Sequence, residues 1–284
     1  MRVVVLTSDS GCQFALCHKL APYCDLRAVI VSKNVVRRSS AYRARMLANS
    51  IQGRLFGRRF RNTWFGQMRK YERLYPGFPS VPITVVDNVN DEATQQVLRD
   101  ESPDLVLVSG TNLIGRRLIE LASRRSGMGM INMHTGLSPY VKGGPNCTNW
   151  CLAERTFHLI GNTVMWIDPG IDSGPLIATE QTPLTGQESL FEMHWSVMEH
   201  AHGLYVRVVR ALAAGQTVPH VPQERIAKGR TFYGAEWNGR AILRAWKGFR
   251  DHYRPQTFRS PEFARLSGAL TLVSLGRNRV GVVS

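Results

Sequence analysis

The residues best able to do chemistry lie in two short stretches about forty positions apart. In the first, Asn132 and His134 stand two apart at the end of an apolar run, so on a strand they point the same way. In the second, Asp172 sits within Asp168-Pro169-Gly170-Ile171-Asp172-Ser173-Gly174-Pro175, where glycine and proline can fix a carboxylate in place. A side-chain amide can donate to a developing oxyanion, an effect typically worth ~3–4 kcal/mol. An imidazole can stabilise the same charge and supply a proton near neutral pH. A carboxylate can orient the imidazole and take a proton from an attacking amine. Together Asn132, His134 and Asp172 suit acyl transfer through a tetrahedral oxyanion, with no metal required. Alone, each reads as an ordinary loop residue.

Elements able to position such a set alternate along the chain. A strand over 2–7 leads through Ser8-Asp9-Ser10-Gly11 into a helix over 12–20, and 26–31 reads as a second strand. After a basic stretch, 83–86 is a strand and Asn90-Asp91-Glu92 starts a helix over 91–100. The unbroken apolar run 105–108 has the character of a buried parallel strand. A helix over 113–124, a strand over 128–132, and a loop to about 144 follow, then a helix through Leu152. Strands over 161–168 and 176–183 precede a long helix over 187–214. This rhythm predicts an α/β fold with a Rossmann-like, mostly parallel sheet. Ligands of open α/β sheets bind beyond the carboxyl ends of the strands, where both stretches fall. The expected division is a catalytic domain over 1–215 and a basic C-terminal extension over 216–284. That extension shows little strand rhythm until the apolar 269–275.

Charge is spread unevenly. The net is +15, with 15 Lys/Arg against 3 Asp/Glu over 1–75, 9 against 14 over 76–222, and 12 against 4 over 223–284. The middle is an ordinary acidic enzyme core between two basic flanks, which suit a polyanionic partner. Residues 37–75 hold eleven Lys/Arg and one acid among interleaved aromatics, and predict one or two basic amphipathic helices. The five cysteines form no Cys-x-x-Cys pair, which fits a reducing compartment better than a disulfide framework or a zinc site. With no signal peptide or transmembrane run apparent, a cytoplasmic protein is expected. His194, His200 and His202 fall on the 187–214 helix and read as structural or solvated, and His158 stands near the second stretch.

Asn132-Met133-His134 followed by Leu137-Ser138-Pro139-Tyr140-Val141-Lys142-Gly143 resembles the Asn-x-His and Leu-Pro-x-Tyr/Phe-x-Gly loop of the folate-dependent formyltransferase family. Gly161-Asn162-Thr163-Val164 and Asp172-Ser173-Gly174-Pro175 are similar to that family's Gly-x-Thr-Val strand and Asp-x-Gly-Pro loop. One departure is Gly136-Leu137-Ser138-Pro139, where the family usually has Leu-Leu-Pro. The resemblance covers about 1–190. It implies transfer of a formyl group from 10-formyltetrahydrofolate, a co-substrate, to a primary amine, with Asn132, His134 and Asp172 catalytic. It further implies a folate site built by Gly110, Thr111, Asn112, Leu113 and Ile114 on one side. Ile167, Asp168, Gly170 and Ile171 would close the other.

For the acceptor, the resemblance points to the turn Ser10, Gly11 and Cys12, where glycinamide ribonucleotide transformylase grips a phosphate, and to Tyr140, Gly143 and Gly144. Asp9 replaces a glycine of that turn, which weakens a phosphate site there. Methionyl-tRNA formyltransferase carries a basic insert after its second strand, as here, but ends in a barrel whose repeated short strands 216–284 lack. The loop over 136–144 followed by Asn149-Trp150 is similar to formyltransferase-domain proteins of surface-glycan synthesis. The favoured acceptor is therefore an amino sugar on a nucleotide or lipid carrier, with peripheral membrane contact through the basic helices as one use of their charge. A relative that binds RNA or membrane with little turnover is the competing expectation.

Overall fold

In β1 (Arg2–Thr7), Val3 and Val5 enter one buried cluster and Val4 and Leu6 another. A strand covered on both faces is what an unbroken apolar run encodes. The computed structural model describes residues 1–35, 47, 51, 57–125, 127–144 and 146–276. Its main sheet has seven strands in the order β3-β2-β1-β4-β5-β7-β8, with β2 Asp25–Ser32, β3 Ile83–Val86, β4 Leu105–Val108, β5 Met130–His134, β7 Gly161–Trp166 and β8 Leu176–Gln181. The pairings from β3 to β5 are parallel, whereas β5–β7 and β7–β8 are antiparallel. One face is covered by α1 (Gly11–Leu20) and α6 (Leu190–Ala213), the other by α3 (Glu92–Glu101) and α4 (Arg116–Arg125).

Strand β5 runs two residues later than the expected 128–132. Gly129, at φ 90°, turns the chain into it, and the ladder to β7 pairs Asn132 with Met165 and His134 with Thr163. Both polar residues are thus held inside a strand rather than just past one. The hydroxyl of buried Tyr205 on α6 meets the same layer. It donates to Ile131 O at 2.9 Å and accepts from Val108 N at 3.0 Å, tying the ends of β4 and β5 together.

The described part of the basic insert forms α2 (Arg58–Leu74); the rest of the expected helices, 36–46, 48–50 and 52–56, lies outside the described residues. Phe60, Gln67, Met68 and Tyr71 face inward, where Tyr71 stacks on Trp195 at 4.3 Å and donates to Glu199 at 2.7 Å. Trp64 and Phe65 stay exposed between arginines.

The tail packs on the core. A second, two-stranded sheet joins β6 (Val141–Gly143) in parallel to β9 (Arg230–Phe232). The helices α7 (Gly239–His252), α8 (Pro255–Phe258) and α9 (Pro261–Gly268) follow. Trp150 of α5 (Cys147–Glu154) stacks on Phe232 at 4.5 Å and meets Trp237 edge-on, within an apolar cluster drawing residues from both sides of position 215. The run 269–275 forms no ladder, yet Val273 lies beside β8, exchanging 2.8 Å bonds with Thr179. No helix among the described residues is long and apolar enough to cross a membrane.

Candidate active site

The loop after β5 is anchored by the strand carrying the second motif. Thr163, fully buried on β7, donates from its hydroxyl to Gly136 O at 2.7 Å and accepts from Ser138 N at 2.9 Å. The Ser138–Pro139 bond within that loop is cis. The chain then returns through β6, where Gly143 has φ 84° and a built Cβ would stand 2.1 Å from Phe232 O. Only glycine fits there. Its N–H donates to Asp172 Oδ2 at 3.0 Å.

Asp172 is the meeting point of the two stretches. Its carboxylate lies 3.4 Å from Asn132 Nδ2 and 3.5 Å from His134 Nδ1, and His134 and Asp172 side chains are 11% and 16% exposed. These separations are long for hydrogen bonds, as is common before substrate tightens a site. Asp172 adopts a left-handed backbone, φ 46°, which a non-glycine residue keeps only when held. Part of the hold comes from the tail: Gln223 Nε2 donates to Asp172 O at 2.9 Å and Gly174 O at 2.8 Å. Asp168 braces the same loop, accepting from Gly170 N at 3.0 Å and Ser173 Oγ at 2.7 Å.

On its other side, His134 Nε2 lies 3.5 Å from Cys147 Sγ, and that thiol is 3.4 Å from Gly143 O. Burial foremost, then Cys151 and Asp172 nearby, pushes the Cys147 thiol well up, so it stays protonated and is no nucleophile. Its place is beside the imidazole. Gly136 closes the packing, since a Cβ there would stand 2.3 Å from His134 Nε2.

The cluster opens on a cleft of about 570 Å³. Gly110, Thr111, Asn112, Leu113, Ile114, Ile167, Asp168, Gly170 and Ile171 all line it with Asn132, His134 and Asp172. Leu113 and Ile171, 57% and 46% exposed, give it apolar walls. The Asn112 side chain is engaged by Ser32, Asn88 and Val89, and Asn112 N and Gly110 O both bond Asn34, so these groups shape the loop. A flat heteroaromatic ring with amide-like edges fits a cleft whose apolar walls, Leu113, Ile114, Ile167 and Ile171, stand beside polar Thr111 and Asn132, so the residues present fit a pterin.

The acceptor residues expected at the first turn lie elsewhere. Ser10, Gly11 and Cys12 do not line the cleft, and α2 covers them: a Cβ on Gly11 would stand 2.4 Å from Met68 O, and Cys12 is buried. Tyr140 is committed to the tail, its hydroxyl accepting from Thr271 N at 2.8 Å and donating to Thr271 O at 3.3 Å. Gly144 donates to Phe232 O at 3.0 Å. Of the acceptor set only Gly143 reaches the cluster. His158 gives its backbone oxygen to Gln181, and burial lowers its imidazole below the ordinary range. His202 is fully buried beside Lys19, whereas His194 meets Asn149 at the edge of a second pocket.

Residues 1–209 match the family described as formyl transferase, and the chain belongs to that family. A methionyl-tRNA formyltransferase of Syntrophus aciditrophicus (strain SB) is 31% identical over 144 residues, covering 51% of this chain and 44% of the relative. The chain thus spans less than half the length of that relative. A phosphoribosylglycinamide formyltransferase from Anaplasma phagocytophilum superposes with TM-score 0.52 at 18% identity, over 82% of this chain and 98% of that one. A sugar N-formyltransferase from Shewanella sp FDAARGOS_354 superposes with TM-score 0.54 at 13% identity, over 86% and 87%. At these identities the two structures establish the shared fold.

Proposed function

We propose that this protein is an N-formyltransferase that moves a formyl group from 10-formyltetrahydrofolate to a primary amine, with an amino sugar on a nucleotide or lipid carrier as acceptor. The observation that carries it is the convergence of Asn132, His134 and Asp172 at the mouth of one cleft, with Asp172 3.4–3.5 Å from the other two. Bound in the cleft, the folate supplies the formyl group, and its nitrogen gains the proton equivalent that the amine gives up. Asn132 has a second amide hydrogen beyond the one facing Asp172, and donates it to the formyl oxygen as negative charge gathers there. His134 adds a cationic donor and delivers a proton to the departing nitrogen. Asp172 fixes the imidazole through Nδ1 and takes the proton from the attacking amine, directly or through one water.

The acceptor reading is supported by the tail, whose described residues form three α-helices, two short 3₁₀ helices and one strand packed on the core. The methionyl-tRNA relative and the basic face of α2 favour a second reading, with an aminoacyl-RNA as acceptor. Incubation with 10-formyltetrahydrofolate and either amino-sugar nucleotides or methionyl-tRNA separates the two by the mass of the formylated product. His134→Ala is expected to lose ~10²-fold or more in kcat. Equal turnover in parent and variant would refute the mechanism.

A further inference from the structure

A second pocket, of about 140 Å³, lies between α2, α5 and α6, and among the described residues its lining carries no formal charge: Phe60, Thr63, Trp64 and Gln67 from α2, Asn146 capping α5 and Asn149 within it, and His194 from α6. A cavity of about 150 Å³ can hold one six-membered ring. Asn149 is 6% exposed and Gln67 1%, so amides form its floor, while Trp64, 42% exposed, offers an indole as its open wall. Burial pushes the His194 imidazole down to about 4, so at neutral pH it enters as an uncharged ring. As Asn149 Oδ1 only accepts, His194 Nε2–H is the donor across their 2.9 Å contact, which leaves the Asn149 amide nitrogen for another partner.

We propose that this pocket holds the hydroxyl-bearing sugar ring of a sugar diphosphate acceptor; the proposal rests on the amino-sugar reading above. The Asn149 amide nitrogen and the Thr63 hydroxyl can meet sugar hydroxyls, and the indole face suits the C–H face of a pyranose. The same helix carries cations that could meet the anion. Arg61 lies one turn before Trp64, and the exposed Arg59 guanidinium lies 3.9 Å over the Trp246 ring. The site is also tied to the proposed chemistry. Asn146 is three residues beyond Gly143, whose N–H reaches Asp172, so their Cα atoms are at most about 11 Å apart. Cys147, next to Asn146, touches His134.

Calorimetric titration of the full chain with UDP-glucosamine, dTDP-4-amino-4,6-dideoxyglucose and bare UDP tests it. At least one sugar nucleotide is expected to bind roughly tenfold tighter than UDP. Trp64→Ala, a change at a half-exposed position, should erase that advantage while leaving the Kd for UDP and tetrahydrofolate within about twofold. Asn149→Ala should act in the same direction. Binding without formylated product would sink the transfer reading and leave the sugar site standing. Turnover with a parental acceptor KM in both variants would do the reverse, and absence of any sugar advantage over UDP would overturn the site outright.

Discussion

Replacing Gln223 by methionine isolates how Asp172 is held. Gln223 is 4% exposed, and its amide nitrogen donates to the backbone oxygens of Asp172 and Gly174 at 2.9 and 2.8 Å. Methionine keeps the length and volume, so the change is confined to the polar end. A buried acceptor stripped of its donor costs ~1–3 kcal/mol. Two such losses are partly offset, because the buried Oε1 of Gln223, which has no partner, leaves with the amide. The net expected loss is ~2–4 kcal/mol. At about 2 °C per kcal/mol for a chain of this size, Tm falls by ~4–8 °C. Freed from its clamp, Asp172 leaves its left-handed backbone for part of the time and its carboxylate drifts from Asn132 and His134. Turnover should then drop ~10-fold, equivalent to ~1.4 kcal/mol in the barrier. Thermal melting and single-turnover formyl transfer read the two effects separately. A Gln223→Met protein that melts and turns over like its parent would refute the clamp.

Gly136→Ala places a methyl 2.3 Å from His134 Nε2 and 2.9 Å from Cys147, so the imidazole must move. Turnover should fall ~10²-fold or more with a stability loss of ~1–3 kcal/mol, read by kcat and urea midpoint. Tyr140→Phe removes the bonds to Thr271, away from the cleft; it should cost ~1–2 kcal/mol in urea unfolding and leave kcat within about twofold. Acid should destabilise the fold in a defined window. Burial holds His194 near 4, and burial, then Lys19, lowers His202 well below its usual value. An unfolded histidine takes up its proton near pH ~6.5. Stability is therefore full above that pH and is lost as pH falls towards 4, with His194 alone accounting for up to ~3 kcal/mol. A flat urea midpoint between pH 7 and 5 would rule this out.

The parts of the site legible in the sequence are those whose chemistry is local. Asn132 and His134 share a strand face by simple alternation, and the apolar run 105–108 announces a buried strand without any partner being known. What escaped depends on contacts between distant segments. Gln223 meets Asp172 across 51 positions, and nothing about a glutamine after Pro222 signals a clamp. Strands β6 and β9 are three residues each, too short to carry a rhythm, yet their pairing forces glycine at 143. The first turn, Ser10 to Cys12, looked open because α2 was read only as an amphipathic helix. Its packing on α1 is what closes that turn, and neither helix alone reports it. The family resemblance also led towards that turn. His194 reads as structural or solvated from its helix alone; its place at the second pocket depends on α2 and α5 beside it.

The unequal charge distribution takes on a physical meaning once the two pockets are compared. Among the described residues neither lysine nor arginine lines the cleft beside Asn132, His134 and Asp172, although the chain carries a net charge of +15. Basic residues stand instead on α2, the helix that lines the second pocket. On the proposed reading, the excess positive charge therefore serves the acceptor and not the folate. Screening follows from that division: exposed guanidinium–phosphate attraction weakens steeply with ionic strength, whereas an apolar-walled cleft holds a pterin with little salt dependence. Rising salt should then raise the acceptor KM and leave the folate KM nearly constant. A parallel rise in both would mean that the arginines of α2 act on something other than the acceptor.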